Sequence, residues 1–240
     1  GSGPLHVVCD SRPYNWPQVG SSITVAEAIL LLDNKPLATL DGASVWQPEQ
    51  VPDWTTASLQ RGLDAASAFW RREAFEDGLA AAGCAETSAK PTLLVSAAMP
   101  GIAAVGRIVA HALDECEVLS EDRADIAGLI GLGPGLTPSG DDLLGGALVA
   151  LASLGLMDVR DDLWSACLGS LDRTNDISGL HLQTAARGYG AAALHNAIHA
   201  TICGDVVCLP GSLVELSAIG HSSGRDSFAG VLIALRAVAT

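Results

Sequence analysis

The pattern of apolar and polar positions changes near residue 53. Before that point, short apolar runs are separated by turn residues and prolines, a pattern typical of short β-strands. The pattern predicts strands over residues 5–9, 22–25, 28–32 and 37–40. One or two helical turns over residues 26–32 are the alternative to the third strand. We therefore predict a small β-rich subdomain over residues 1–53.

From residue 54 onward, apolar side chains recur close to the helical period of 3.6 residues. Thr55 or Thr56 is expected to cap a first helix that runs to Ala82, and Pro100 with Gly101 is expected to open a second helix that runs to Leu119. Further helices are predicted within residues 139–153, 161–171, 178–199 and 226–238. The chain is therefore predicted to be an α+β protein in which residues 54–240 form a mostly α-helical domain.

A glycine-rich segment, residues 131–142, reads Gly-Leu-Gly-Pro-Gly-Leu-Thr-Pro-Ser-Gly-Asp-Asp, and part of it returns 84 residues later. Residues 139–151 align without gaps on residues 223–235. Each copy is a small-residue loop that leads into an apolar helix, an arrangement that presents backbone N–H groups to an anion. We therefore predict a ligand between two helix N-termini. Helix packing is the alternative reason for Gly145, Gly146 and Gly230.

The first copy supplies most of the candidate binding groups. Its glycines let a ligand approach the backbone, and Thr137 before Pro138 is typical of a capped helix start, with Ser139 as a second candidate cap. The spacing fits neither a Walker loop nor a dinucleotide fingerprint. The substrate-binding residues predicted here are Gly133, Gly135, Thr137, Ser139, Gly140 and Asp141.

Two aspartates occupy equivalent positions in the two copies, Asp142 and Asp226. They are candidates to orient a substrate nitrogen, to bind a cation or to cap the opposing helix, and either also stabilises a helix N-terminus. A divalent cation held by Asp141, Asp142 and Asp226 is possible, but the sequence names no complete ligand set and no cofactor.

The second copy and the segment between the copies add polar candidates. His221 is a candidate for proton transfer, and Arg225 is a candidate for a two-pronged carboxylate contact. Ser222 and Ser223 are predicted to bind substrate. Ser178 is predicted to cap a helix that carries His181, and it is equally a binding candidate.

Composition narrows the function classes. The net charge of −14, from 27 acidic and 13 basic residues, argues against binding to nucleic acid through phosphates. The apolar stretch from Leu143 to Met157 is 15 residues long, shorter than the roughly 20 that span a membrane, and is predicted to be a core helix. Six cysteines without a Cys-x-x-Cys pair, and no visible signal peptide, favour the cytoplasm.

Together, the glycine-rich segment, Thr174 to Ser178, and residues 220–230 resemble a bacterial family that includes the small subunit of oxamate carbamoyltransferase from ureide (allantoin) degradation. The resemblance implies a cytoplasmic protein that acts with two larger subunits to move a carbamoyl group between oxamate and carbamoyl phosphate, without a redox cofactor. The chain lacks the Ser-Thr-Arg-Thr-Arg signature of ordinary carbamoyltransferases, and Arg225 departs from the residue expected at its position.

The leading hypothesis is therefore a subunit of a carbamoyltransferase-like enzyme, in which His221, Asp142 and Asp226 are catalytic and partner subunits are required. A noncatalytic assembly or regulatory subunit that binds an anion is the first alternative. A stand-alone hydrolase of a small amide is the second. The substrate and the oligomeric state are left open by the sequence.

Overall fold

The computed structural model describes residue 3 and residues 17–73, 77–83 and 91–240. The described residues up to Gln47 form one compact unit, and those from Pro48 to Thr240 form a second. The predicted strand at residues 5–9 lies outside the described residues. The predicted α+β class is confirmed, since a small antiparallel sheet precedes a body built from helices.

The first unit contains a three-stranded antiparallel sheet in the order β1-β2-β3, formed by Ile23–Ala26, Ile29–Leu32 and Lys35–Thr39. Both connections are two-residue turns, Glu27-Ala28 and Asp33-Asn34, and all four turn residues have positive φ. Such turns suit the right-handed twist of a hairpin. Residues 29–32 thus form a strand, and Ala28 belongs to the turn because its backbone is left-handed.

The second unit is helical. Its described residues contain nine α-helices: α1 Thr56–Trp70, α2 Leu93–Leu113, α3 Ser120–Leu129, α4 Ser139–Ser153, α5 Met157–Leu168, α6 Asp176–Ala186, α7 Ala192–Cys203, α8 Leu209–Ser217 and α9 Ser223–Ala239. Short 3₁₀ helices occupy Ala80–Gly83 and Leu171–Arg173. Helices α4 and α9 pack against each other most extensively, and α1, α2 and α7 pack around this pair.

Several predicted helix boundaries are wrong. Helix α1 ends at Trp70 rather than Ala82, and Asp77-Gly78 forms a turn with Gly78 at φ +76°. Helix α2 begins at Leu93, where the Thr92 side chain accepts from the Val95 N–H. Pro100 lies inside α2 instead of opening it.

The predicted helix over residues 178–199 is two helices, α6 and α7, because Gly188 takes a left-handed backbone (φ +84°) between them. The helix predicted over residues 161–171 lies over Met157–Leu168. The helix predicted from Asp226 begins earlier, at Ser223. The predicted core helix is observed: α4 is buried on nearly every side.

One helix, α2, is long and apolar enough to cross a membrane by length and composition. Its buried side includes Val95, Val105 and Ile108, and it packs against α3, α5 and α9. Core helices of soluble proteins pass the same test, so this feature is weak evidence for a membrane.

An aromatic contact in the core joins α1 to α9. Trp70 and Phe228 are both fully buried, with ring centroids 5.1 Å apart. The Trp70 indole N–H donates to the Ala80 carbonyl at 3.2 Å, so its one polar group is satisfied in the core. This contact holds residues 80–83 beside α9.

Candidate functional site

The starts of α4 and α9 meet in the helical unit. The hydroxyl oxygens of Thr137 and Ser223 lie 2.9 Å apart, which places the loop before α4 against the first residue of α9. We call residues 131–142 and 219–226 together the paired helix starts. Their residues come from the two similar sequence segments, separated by 84 positions.

The two helices cross at equivalent glycines. A Cβ atom on Gly146 would lie 1.8 Å from the Ser227 carbonyl oxygen, and one on Gly230 would lie 1.8 Å from the Leu143 carbonyl oxygen. These contacts are reciprocal, because positions 146 and 230, and positions 143 and 227, are related by the same 84-residue offset. The crossing therefore has local pseudo-two-fold symmetry, and packing explains both glycines.

The same symmetry extends to the preceding helices. A Cβ on Gly140 would lie 2.0 Å from the Leu129 carbonyl oxygen at the end of α3, and one on Gly224 would lie 1.9 Å from the Leu216 carbonyl oxygen in α8. In both copies, a glycine at the second residue of a helix permits close contact with the helix before it.

Asp142 and Asp226 are the two carboxyl groups at the paired helix starts whose pKa values are raised; Asp226 is fully buried, and Asp142 is partly buried. Burial raises the pKa of Asp142 to about 8, and the negative charges of Asp226 and Asp141 act in the same direction. The hydroxyls of Ser223 and Thr137 act in the opposite direction, because they favour the charged form. Burial also raises the pKa of Asp226, against the hydroxyls of Ser139 and Ser222.

The serines face the carboxyl groups across the crossing. The Ser223 hydroxyl of α9 lowers the pKa of Asp142 in α4, whereas the Ser139 hydroxyl of α4 lowers the pKa of Asp226 in α9. One oxygen of each carboxyl group, Oδ2, is buried without a hydrogen-bond partner among the described residues. Buried polar atoms are normally satisfied, so these two oxygens mark an unusual site.

Asp141 has a different role from its neighbour. Its Oδ1 accepts from the Gly131 N–H at 2.9 Å, and its Oδ2 accepts from the hydroxyls of Ser178, at 2.7 Å, and Thr174. Asp141 therefore ties the glycine-rich loop to the start of α6. Both of its oxygens are occupied by protein donors.

The capping residues predicted for α4 and α6 are wrong, whereas Thr55, one of the two caps predicted for α1, is confirmed. Neither Thr137 nor Ser139 makes a cap hydrogen bond, and Pro138 occupies the cap position of α4. Asn175 rather than Ser178 caps α6, since its side chain accepts from the N–H groups of Ile177 and Ser178. The Ser178 hydroxyl thus donates to Asp141, and the Thr137 hydroxyl contacts that of Ser223, so neither caps its own helix.

The glycine-rich loop is exposed at its tip. Gly133 has a φ of +117°, and a Cβ there would lie 2.8 Å from the Ser139 nitrogen, so the loop folds over the start of α4 only with glycine. Gly135, at φ +97°, has open space around it. The Asn175 side chain donates to the Leu136 carbonyl at 2.9 Å and steadies this tip.

His221 lies just before α9, and Arg225 lies in the first turn of that helix. His221 is 83% exposed, and its Nε2 lies 3.1 Å from the Asp77 carboxylate. Arg225 donates from Nη2 to the His221 carbonyl, and its Nε is buried without a hydrogen-bond partner among the described residues. Ser222 occupies the cap position of α9, and its carbonyl accepts from the Asp226 N–H at 2.9 Å.

Sequence reasoning missed residues 77–79. The Leu79 N–H donates to Asp226 Oδ1 at 2.6 Å, and a Cβ on Gly78 would lie 2.4 Å from the same oxygen. The Asp77-Gly78 dipeptide is a turn signal that the predicted helix to Ala82 overran. A backbone N–H donor has no side-chain signature in the sequence, so the hydrogen bond from Leu79 to Asp226 could not be predicted.

A groove of about 690 Å³ lies at the other end of α4. Trp54, Met157, Tyr189 and His195 are among its lining residues. The 15 residues of α4 separate this groove from the helix start by about 22 Å at 1.5 Å per residue. His195 is buried, and burial lowers its pKa to about 4; its Nε2 accepts from the Gly190 N–H at 3.1 Å.

Among the residues that the structure describes, no metal site is assembled. Across residues 17–73, 77–83 and 91–240, no group of three or more His, Cys, Asp or Glu side chains is arranged to hold an ion. At the paired helix starts, Asp141 is already bound by three protein donors.

Comparison with known families bears directly on this site. Residues 129–235 match the family model described as oxamate carbamoyltransferase subunit AllH. This stretch is therefore similar to the AllH family. The match spans α4 through most of α9, so both helix starts lie inside it, and the family resemblance noted from the motifs is confirmed. No solved structure matches the chain.

Proposed function

We propose that this chain is a subunit of an oxamate carbamoyltransferase-type enzyme and that its paired helix starts bind a small anionic carbamoyl, phosphate or carboxylate group. The observation that supports this most is the junction of Thr137 and Ser223 beside the buried carboxyl group of Asp226 and the partly buried one of Asp142. The AllH match covers the same residues.

The proposed chemistry uses the residues at this junction. Thr137, Ser139, Ser223 and the loop N–H groups hold the anionic group, because hydroxyl and amide donors stabilise developing negative charge. Asp142 orients the nitrogen that receives the carbamoyl group. The exposed Gly135, which has open space around it, leaves room for the ligand beside the backbone, and Gly133 lets the loop fold over the start of α4.

His221 is the remaining candidate for proton transfer. It is exposed and lies beside Asp77, at the rim of the paired helix starts rather than among the buried groups. In this proposal His221 exchanges protons with solvent, whereas Asp142 acts on the substrate. The enzyme acts in the cytoplasm with its partner subunits, as expected of a catabolic transferase assembled from several chains.

The test is steady-state kinetics of the enzyme reconstituted with its partner subunits, with carbamoyl phosphate and oxamate as substrates. Thr137→Val and Ser139→Ala are expected to lower kcat/KM by about 10²-fold, the scale for loss of one donor to a developing oxyanion. Ser153→Ala is the matched control, because Ser153 lies at the other end of α4 and donates to the Val149 carbonyl. Unchanged turnover in both test variants would refute the proposed site.

A binding measurement complements the kinetics. Oxamate or phosphate is expected to raise the unfolding temperature of the wild-type chain, because a ligand that binds only the folded state stabilises it. The Ser139→Ala variant is expected to lose that increase, whereas Ser153→Ala is expected to keep it.

A further inference from the structure

We propose that Asn175 is a positioning residue for the paired helix starts: its side chain holds the tip of the glycine-rich loop in the position in which the loop binds an anionic ligand. The loop tip is residues 133–136. The part of the proposal that concerns ligand binding and turnover rests on the function proposed above. The part that concerns the loop is tested without any ligand.

The loop that carries this tip is longer than helix packing requires. Nine residues, 130–138, connect α3 to α4, whereas five residues, 218–222, connect α8 to α9 at the equivalent place in the second copy. In both copies a glycine at the second helix residue, Gly140 or Gly224, comes similarly close to the preceding helix. The additional residues of the first copy are therefore not needed for packing, and loop residues of this kind commonly carry function.

The loop tip has few attachments to the rest of the protein. Residues 134–136 are exposed, and Leu136 is 68% exposed. Gly135, at φ +97°, has a backbone conformation that other residues rarely adopt. Among the described residues, one hydrogen bond reaches the backbone of residues 133–136, and the Asn175 side chain donates it to the Leu136 carbonyl at 2.9 Å.

Asn175 holds α6 and the loop tip with different atoms. Its Oδ1 accepts from the N–H groups of Ile177 and Ser178, at 3.1 Å each, and so caps α6. Its Nδ2 donates to the Leu136 carbonyl. A helix cap of this kind needs only the side-chain oxygen, so the amide nitrogen is the atom that adds the loop tip to the cap.

The start of α6 also holds the base of the same loop. The hydroxyls of Ser178 and Thr174 donate to one oxygen of Asp141, and the other oxygen accepts from the Gly131 N–H. The loop is therefore attached at its base through Asp141 and at its tip through Asn175. Loss of the Asn175 contact alone is expected to release the tip while the base stays in place.

A loop that is already held in place loses less conformational entropy when it binds a ligand. The N–H groups of Gly135, Leu136 and Thr137 have no hydrogen-bond acceptor among the described residues, so they are available to an anion. Asn175 acts through these groups and does not itself contact the ligand. Its loss is therefore expected to weaken ligand binding rather than to slow the chemical step.

The first experiment measures backbone ¹⁵N order parameters by NMR in the full-length chain without ligand. Residues 135 and 136 are expected near the rigid value of about 0.85 in the wild type and below about 0.6 in Asn175→Ser. Serine keeps a neutral oxygen that caps α6, but its side chain has no amide nitrogen that reaches Leu136. Order parameters that are unchanged in Asn175→Ser overturn the proposed role of Asn175.

Controls separate release of the tip from misfolding. Asn175→Ser is expected to keep an unfolding temperature close to that of the wild type, because serine caps helices about as well as asparagine. Asn175→Asp also keeps a capping oxygen and is expected to release the tip, so it replaces the serine variant if that variant does not fold. Gln183→Ser, at an exposed amide side chain later in α6, is expected to leave the order parameters of the loop in place.

The second experiment compares KM and kcat in the reconstituted enzyme. Asn175→Ser is expected to raise the KM for carbamoyl phosphate about tenfold with little change in kcat, because it removes an interaction that favours binding. A purely structural role would instead reduce the fraction of active enzyme, and so lower kcat at an unchanged KM.

The two experiments have distinguishable outcomes. A KM that keeps its wild-type value while the order parameters of the tip fall refutes the positioning role. If the order parameters fall as expected but the Ser139→Ala enzyme keeps full turnover, the function proposed above fails, and the attachment of the loop tip by Asn175 stands.

Discussion

The raised pKa of Asp142 makes a direct prediction about stability and pH. A carboxyl group with a folded-state pKa of about 8, against an ordinary value of 3.8, binds its proton more tightly in the folded chain than in the unfolded chain. Between pH 4 and pH 8 the folded state therefore holds more protons, and the free energy of unfolding falls as pH rises through this window. Replacement of Asp142 by asparagine removes the ionisable group, and with it the fall in the free energy of unfolding.

The magnitude follows from the size of the shift. Each pH unit between the unfolded and folded pKa values corresponds to about 1.4 kcal/mol. From pH 4 to pH 7 the upper limit is about 4 kcal/mol, and relaxation of the site reduces it. We expect Asp142→Asn to match the wild type near pH 4 and to exceed its free energy of unfolding by about 2 kcal/mol or more at pH 7.5.

The assay is urea unfolding of both proteins at half-unit steps from pH 4 to pH 8, with the difference in free energy plotted against pH. Effects of other groups, including His195, cancel in that difference. Asp158→Asn is the control: it loses an exposed carboxylate that favours the start of α5, so it is expected to be slightly less stable than the wild type. A difference between wild type and Asp142→Asn that does not grow with pH would refute the reasoning.

Three further predictions concern the rest of the helical unit. Gly146→Ala and Gly230→Ala are each expected to lower the free energy of unfolding by about 2 kcal/mol or more, because each new methyl group overlaps a carbonyl oxygen, whereas Gly145→Ala, with its nearest neighbour at 3.7 Å, is expected to be neutral or stabilising in the same urea assay. Burial lowers the pKa of His195 to about 4, so the stability that its neutral form provides is complete above pH 6.5 and lost as pH falls through 4; His195→Gln is expected to flatten the acid limb of the stability curve. Burial raises the pKa of Cys167 to about 12, so Cys167 is expected to stay unmodified in the folded chain while the exposed Cys116 and Cys208 react with a thiol reagent, as measured by peptide mass spectrometry.

The hydrophobic periodicity of the sequence predicted the architecture better than its helix start and stop signals did. The change from short apolar runs to helical spacing correctly separated the small sheet from the helices, and α4 was correctly predicted from apolar positions on nearly all its sides. The errors arise where one start or stop signal competes with another. Thr92 and Pro100 both resemble helix starts, and the structure uses Thr92 as the cap while α2 continues through the proline.

The connection between α6 and α7 shows a second limit of sequence patterns. Helical spacing continues on both sides of Gly188, Tyr189 and Gly190, so periodicity alone predicts one helix. The break depends on tertiary contacts: Gly190 donates to the buried His195 ring, and Gly188 takes a backbone that suits glycine. Tertiary packing overrides the local pattern here.

The site illustrates what an internal repeat can and cannot predict. The 84-residue offset identifies Ser139 with Ser223 and Asp142 with Asp226, but it does not say which serine faces which carboxyl group. Because the helices cross at Gly146 and Gly230, each serine acts on the aspartate of the opposite copy. The crossing therefore brings two separate helix starts, each an ordinary place for a carboxylate, into one site in which each carboxyl group lies near a hydroxyl group of the opposite copy.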